Sequence, residues 1–293
     1  MKRKISLISP SRDNLKYLKW SYESVRTHMS PDVEYCVADD FSSDGTWEWC
    51  LRIMEDDPNF KAIRNDGPTR LGHTILYDRL IDEIATGDIV VIWHADMYAT
   101  PGLDDKILSA IEPNTVVSIT RIEPPLHPPG PEKLVQDFGT EPEHFENHMD
   151  RFLQYVEKNE KEYSGKRTEG IFAPWAIYKS DFQAIGGHDP LYAPQSREDS
   201  DIFNRFILAG YQTIQLMDAF VYHMTCRGSR FNPNITQVGT ASDEWLAQNR
   251  RSERNFRRKW GSMVRHDDLL KPIITNKYKI SFICHNITIE QLY

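Results

Sequence analysis

The sequence contains only four cysteines, Cys36, Cys50, Cys226 and Cys284, and no two of them are spaced as CxxC. That excludes a disulfide framework and a zinc ribbon, and leaves reduced thiols in a cytosolic-type compartment as the expectation. No uninterrupted apolar run approaches the roughly 18 residues of a transmembrane helix, so no integral membrane segment is expected. The opening MKRKISLISPSRDN is basic, but its apolar stretch ends too soon, at Pro10, to serve as a signal peptide. Positive charge is not in excess either: 35 Lys and Arg stand against 43 Asp and Glu, for a net charge of -8. Such a surface does not suit a nucleic-acid backbone as main partner. Repeats and low-complexity segments are missing.

What is present is an ordinary globular composition, 40% hydrophobic and 27% charged over 293 residues. That length allows one large α/β domain, or one domain with an appendage. Short apolar runs at 5–9, 33–38, 61–64, 89–93 and 116–122 read as strands. Between them lie stripes at helical spacing, such as Leu15, Leu18, Tyr22 and Val25, or Leu76, Leu80 and Ile84. The run IVVIW at 89–93 is apolar throughout and predicts a central strand covered on both faces. This alternation predicts right-handed crossovers on a mostly parallel sheet, with the ligand crevice beyond the strands' C-terminal ends. Residues 10–13, Asp39-Asp40 and 94–96 fall there.

Beyond 122 the sequence EPPLHPPGP at 123–131 reads as a loop or lid. An acidic helical stretch follows to about Lys161, and residues 171–178 turn apolar again. Ile202, Phe203, Phe206 and Ile207 mark a helix, 213–224 a strand, and 240–260 a further helix. The tail carries KISFICHNITI, a candidate edge strand.

Several residues could carry chemistry. On a strand, His94 and Asp96 would point the same way, and an imidazole with a carboxylate suits a divalent cation. The plainer alternative is an Asp that caps the next turn beside a solvated His. Asp39 and Asp40 precede a turn favoured by Ser42, Asp44 and Gly45. Two such acids at a strand end can accept from a base N–H and a ribose hydroxyl, or form a simple acidic turn. Glu198, Asp199 and Asp201 open a helix, where the macrodipole favours them whatever else they do. His223 closes an apolar strand, a place where a lone His is often a satisfied core residue.

Taken in order, ISLISPSRDN, VEYCVADDFSSDGTWEW and RLGHTILYDRLIDEIATGDIVVIWHADM resemble the opening of a family 2 glycosyltransferase with the GT-A fold. DDFSSDGT at 39–46 is the most specific block, and the resemblance extends over roughly 220 residues. It implies an α/β fold with a mostly parallel, Rossmann-like central sheet flanked by helices and a C-terminal acceptor-side extension. Segment 1–122 would bind the nucleotide sugar, 123–235 the acceptor, and 236–293 would add a helical segment and tail.

The resemblance also implies roles. Pro10, Ser11, Asp13 and Asp39 would line the nucleotide pocket with Asp40 nearby, and Arg70 would meet the sugar nucleotide from beside a helix N-terminus. Asp96 and His223 would hold Mn²⁺ or Mg²⁺. Asp199 would be the general base of an inverting transfer, with Glu198 orienting the acceptor. Trp175 and His188 would lie on the acceptor side, Trp175 by stacking on a sugar unless it is core. Arg227, Arg230 and the basic run 250–259 with Trp260 would cover the phosphates, the run otherwise being a solvated helix face.

Two departures stand out. Asp13 precedes Asn14, the family's usual residue in that loop, and His94 replaces the first acid of Asp-x-Asp. With Ala95, it would then contact the nucleotide by donating a hydrogen bond.

The function so implied is metal-dependent, inverting transfer of a hexosyl group from a nucleotide-diphosphate sugar, UDP-linked, to a hydroxyl of a glycan or other acceptor. The enzyme would be soluble and cytoplasmic, with peripheral work at a membrane left open. One alternative is a nucleotidyltransferase on a related sheet, which ISPSRDN disfavours because it has no glycine for a phosphate loop. The other is a nucleotide-sugar-binding protein without catalysis.

Overall fold

The structure, a computed structural model, describes residues 3–225 and 242–275. Cys226, Arg227, Arg230, Cys284 and the candidate edge strand in the tail lie outside the described residues.

The strands are β1 (Ile5–Ser11), β2 (Glu34–Asp40), β3 (Phe60–Asn65), β4 (Ile89–Ile92), β5 (Met97–Ala99), β6 (Thr115–Glu123), β7 (Lys133–Val135), β8 (Arg167–Thr168), β9 (Trp175–Tyr178) and β10 (Gln212–His223). The helices are α1 (Leu15–His28), α2 (Thr46–Asp56), α3 (Gly72–Glu83), α4 (Leu103–Ala110), α5 (Pro142–Glu146), α6 (Met149–Glu162), α7 (Lys179–Ala184), α8 (Glu198–Leu208) and α9 (Asp243–Trp260). Among the described residues none is long and apolar enough to cross a membrane.

The strands form one sheet in the order β3-β2-β1-β4-β9-β6-β10-β5. Its first half, β3-β2-β1-β4, is parallel, as the strand–helix alternation predicts. β9 then runs antiparallel between β4 and β6, and β5 runs antiparallel on β10. Of the apolar segment 171–178, only Trp175 onward pairs as a strand, because Pro174 has no N–H for a ladder. β6 extends one residue into the proline-rich stretch and ends on Glu123.

Alternation along each strand sends side chains to two cores. Leu7, Val37 and Val91 pack under α1, α2 and α4 with Leu18, Trp49 and Ile107. Ile8, Ala38 and Ile92 pack on the opposite side with Leu76, Leu80 and Phe206 of α3 and α8. β4 is buried at all four residues, as its apolar sequence predicts. A third, aromatic cluster of Trp20, Tyr98, Phe145, Phe152 and Tyr222 seats α5 and α6 at the sheet edge.

One buried charge ties the parallel half together. The Glu34 side chain is fully buried and meets Lys61 at 2.6 Å and Lys4 at 3.1 Å. Ser6 Oγ donates to it at 2.5 Å, as do the hydroxyl and amide of Thr86. Burial alone would raise its pKa, but hydrogen bonds from Lys61, Ser6 and Thr86 hold the carboxyl well below the ordinary 4.5. The stability it contributes is therefore complete above about pH 4.5 and is lost as the pH falls below that value. Glu34→Ala is expected to cost about 3 kcal/mol, the low end for breaking a buried pair because both lysines keep access to water. Urea denaturation at pH 7 and pH 4 measures this; the gap between variant and wild type should narrow at the lower pH.

Candidate active site

The strand ends of β1 and β2 build one wall. Ser11 and Asp39 are register neighbours, 4% and 0% exposed. Asp39 Oδ1 accepts from the Ser42 amide at 3.0 Å, and its Oδ2 lies 3.4 Å from Arg64 Nε. Burial raises the Asp39 pKa. Ser11 Oγ and Asp39 Oδ2 are buried without a hydrogen-bond partner among the described residues. Pro10, also buried, completes this end of β1.

The adjacent acids serve the chain itself. Asp13 Oδ1 accepts from the Ser43 amide at 2.7 Å and its hydroxyl at 3.1 Å, which knits the loop after β1 to the loop after β2. Asp40, expected near the nucleotide, accepts from the amides of Leu71 and Gly72 at 3.1 and 2.9 Å and from Asn65. It satisfies the first amides of α3, so its oxygens are already taken. Arg70 stands just before that helix, donating to Gln195 Oε1 at 2.8 Å with its Nε 3.9 Å from Asp40.

The second wall is the turn after β4. The sequence predicts His94 and Asp96 on a strand, but β4 ends at Ile92 and the Met97 amide closes a turn onto the His94 carbonyl at 3.2 Å. The turn brings His94 and Asp96 to His223 at the end of β10, where one ligand atom from each lies within 4.8 Å of the others. Ala95 packs into the core and contributes no polar side chain. His223 Nε2 lies 3.4 Å from Asp96 Oδ1, while its Nδ1 meets Glu123 Oε1 at 2.7 Å. Glu123 is held in turn by Arg121 and Lys133, each at 2.9 Å.

The electrostatics separate the two histidines. Burial favours the neutral form of each, but Asp96 and Glu123 overcome this at His223 and push its pKa up to about 9. At His94, burial and the neighbouring His223 bring the pKa down to about 3. Its imidazole is neutral, with a lone pair to offer. Two imidazoles and a carboxylate, one imidazole oriented through its other nitrogen by a carboxylate, fit a divalent cation.

The third wall is the start of α8. Ser196 and Arg197 both take left-handed φ, 82° and 73°, turning the chain so that Glu198 and Asp199 open the helix. Burial, and then the charge of Asp199, raises the Glu198 pKa. Burial also raises that of Asp199, against the pull of His188, the Trp175 indole and Arg121. Burial raises the phenol of Tyr77 on α3 well above its ordinary pKa, and the charges of Asp199, Glu198 and Asp96 add to this, so all three acids lie within electrostatic reach of it.

A family model described as Glycosyl transferase family 2 matches residues 6–173, more than half of the chain. The chain belongs to that family. Structural neighbours share its GT-A glycosyltransferase fold. They include "GalNAc-T7 with UDP, GalNAc and Mn2+", with TM-score 0.56 at 14% identity. "S. aureus TarS 1-349" has TM-score 0.53 at 15%, and the mannosyltransferase PcManGT from Pyrobaculum calidifontis "in complex with GDP-Man and Mn2+" has 0.52 at 18%. These matches cover 75%, 75% and 76% of this chain but 44%, 60% and 57% of the neighbours' chains. Comparison with curated proteins found no match.

Within this glycosyltransferase fold some expected contacts are absent. Trp175 is fully buried, its ring edge-on to Phe203 and Phe206, so no face is open to a sugar. The His188 side chain is fully buried as well. Lys259 is tied to Asp189 and Asp201 at 2.6 and 2.8 Å, and Trp260 Nε1 donates to Asp201 at 2.8 Å. These contacts dock the end of α9 onto the Pro190–Tyr192 turn instead of freeing it to cover phosphates. The sequence offered His94 and Asp96 as a cation pair and the resemblance offered Asp96 with His223, so all three ligand candidates were legible, but Glu123 was not read from sequence. A carboxylate in a proline-rich stretch carries no signal that it closes a strand beside His223.

Proposed function

We propose that this glycosyltransferase moves a sugar with inversion from a nucleotide-diphosphate sugar, UDP-linked, to a hydroxyl acceptor, with Mn²⁺ or Mg²⁺ held by His94, Asp96 and His223. The observation that carries the reading is the convergence of those three side chains, with Asp96, Asp199 and Glu198 all in electrostatic reach of Tyr77. The solved neighbours that hold Mn²⁺ with UDP, or with GDP-Man, support it.

Ser11 Oγ, buried without a hydrogen-bond partner among the described residues, and Asp39 Oδ2, with the Arg64 guanidinium 3.4 Å away, are the polar atoms offered to the nucleoside. When bound, the cation would neutralise charge on the departing diphosphate. Asp199 takes the proton from the attacking hydroxyl; a pKa raised by burial makes it a stronger base than an exposed aspartate. Glu198, raised toward its protonated form by burial and by the charge of Asp199, can donate a hydrogen bond that orients the acceptor. Glu123 keeps the His223 ring turned so that Nε2 faces Asp96.

Donor turnover against UDP-, GDP- and dTDP-sugars, with Mn²⁺ and then with EDTA, is the direct test. UDP-sugar cleavage that stops with EDTA is expected, with the transferred sugar in the opposite anomeric configuration by NMR. Donor binding without turnover in every condition would favour a binding protein instead.

A further inference from the structure

The loop that leads to Glu198 and Asp199 is gripped from two sides. Near its start, His188 Nδ1 lies 2.7 Å from Asp78 of α3. Further along, the Pro194 carbonyl accepts from the Thr74 amide at 3.3 Å, and a Cβ on Gly72 would come 2.2 Å from that same oxygen. Gly72 takes a φ of +73°, so only glycine lets the loop lie this close to the first turn of α3.

The opposite side belongs to α9. Gln248, Arg251 and Ser252 stand at i, i+3 and i+4 and share one face of that helix. Gln248 is buried, and its Nε2 donates to the Gln195 carbonyl at 3.0 Å, with the Ala193 carbonyl 3.3 Å away. Arg251 donates to the Ala193 carbonyl at 3.1 Å and to Gln248 Oε1, which keeps that amide turned toward the loop. Ser252 Oγ reaches the Gln195 carbonyl at 3.4 Å. Beside them, Asn249 Oδ1 accepts from Ser196 Oγ at 2.7 Å.

These contacts fall on the residues just before the acids, where the backbone is least relaxed. Ser196 and Arg197 follow one another with φ of 82° and 73°, a conformation in which Cβ crowds the following carbonyl. Non-glycine residues persist in it where surrounding contacts over-determine it. Released from α9, the turn would fall back toward negative φ. The first turn of α8, which begins at Glu198 and Asp199, would move with it.

We propose that Gln248 and Asn249 of α9 are positioning residues for transfer: they hold the left-handed Ser196–Arg197 turn and so set where Asp199 and Glu198 stand. This rests on Asp199 being the base. The groups assigned to the nucleotide and the cation stand elsewhere, on β1, β2, the turn after β4 and the end of β10. Loosening the turn therefore acts on kcat and spares donor affinity.

The experiment compares Gln248→Ala and Asn249→Ala with wild type in the full chain. The Asp201 amide donates to the Arg197 carbonyl at 3.0 Å, so its hydrogen exchange reads the turn without any substrate. That exchange should quicken about tenfold in both variants. With the UDP-sugar that wild type turns over fastest, kcat should fall about 10- to 100-fold, while calorimetry with UDP and Mn²⁺ gives an unchanged Kd. In Asn249→Ala the Ser196 hydroxyl has already lost that partner, so Ser196→Gly on the same background chiefly removes the cost of positive φ. It should recover much of the lost kcat. Asn249 is only half-buried, which covers the case in which Gln248→Ala fails to fold. Wild-type kcat in the folded variants would overturn the proposal, as would a loss of kcat with unchanged exchange or one that glycine does not recover. If those variants keep wild-type rates while Asp199→Asn is inactive, the positioning role is wrong and the base stands. Full transfer by Asp199→Asn would remove both.

Discussion

Asp199→Asn is expected to lower kcat by about 10³-fold while leaving nucleotide binding intact, the scale of a lost general base. Asn matches Asp in shape, but it cannot take a proton at neutral pH. The environment sets the pH dependence. Burial raises the Asp199 pKa, and His188, Trp175 and Arg121 recover only part of that shift. With Asp199 as the proposed base, transfer requires its anion, so the rate should fall as pH drops through a value above the roughly 3.9 of an exposed aspartate. Single-turnover rates across pH 4–8 measure both effects. A rate in the variant within a few-fold of wild type would assign the base elsewhere, with Glu198, its neighbour in the chain, the next candidate.

Asp96→Asn is expected to reduce transfer by about 10²- to 10³-fold at moderate Mn²⁺, with partial recovery as the metal concentration rises. Asp96 is the anionic member of the three candidate ligands, and its pKa is held down, against burial, chiefly by His223 and also by His94. Asn retains a weak oxygen donor but no charge. Folding should survive, because His223 keeps Glu123 at 2.7 Å and Glu123 keeps Arg121 and Lys133. Initial rates against Mn²⁺ concentration therefore separate lost metal affinity from lost structure. An unchanged Mn²⁺ dependence would exclude Asp96 as a ligand.

Local pattern made the parallel half of the sheet readable. Apolar runs ended at Pro10–Ser11, at Asp39 and near His94, and their strands do end in one crevice. Pairings between distant segments left no such trace. The antiparallel insertion of β9 depends on which edges remain open after β4 and β6 form. Asp39 and Asp40 look equivalent in sequence, yet alternation along β2 turns Asp40 to the α3 amides and leaves Asp39 Oδ2 without a hydrogen bond among the described residues, 3.4 Å from Arg64 Nε. Trp175 was ambiguous between core and acceptor stacking, and its contacts with Phe203 and Phe206 show a core position. Asp78 sits on α3 with no motif around it, and its link to His188 spans 110 residues.

The central claim is that His94, Asp96 and His223 hold one divalent cation. Pulsed electron paramagnetic resonance of Mn²⁺ added with UDP would test it most directly. Nitrogen couplings from two imidazoles are predicted, with one lost in His94→Gln and one in His223→Gln. Mn²⁺ without imidazole coupling, or couplings that survive both substitutions, would contradict it.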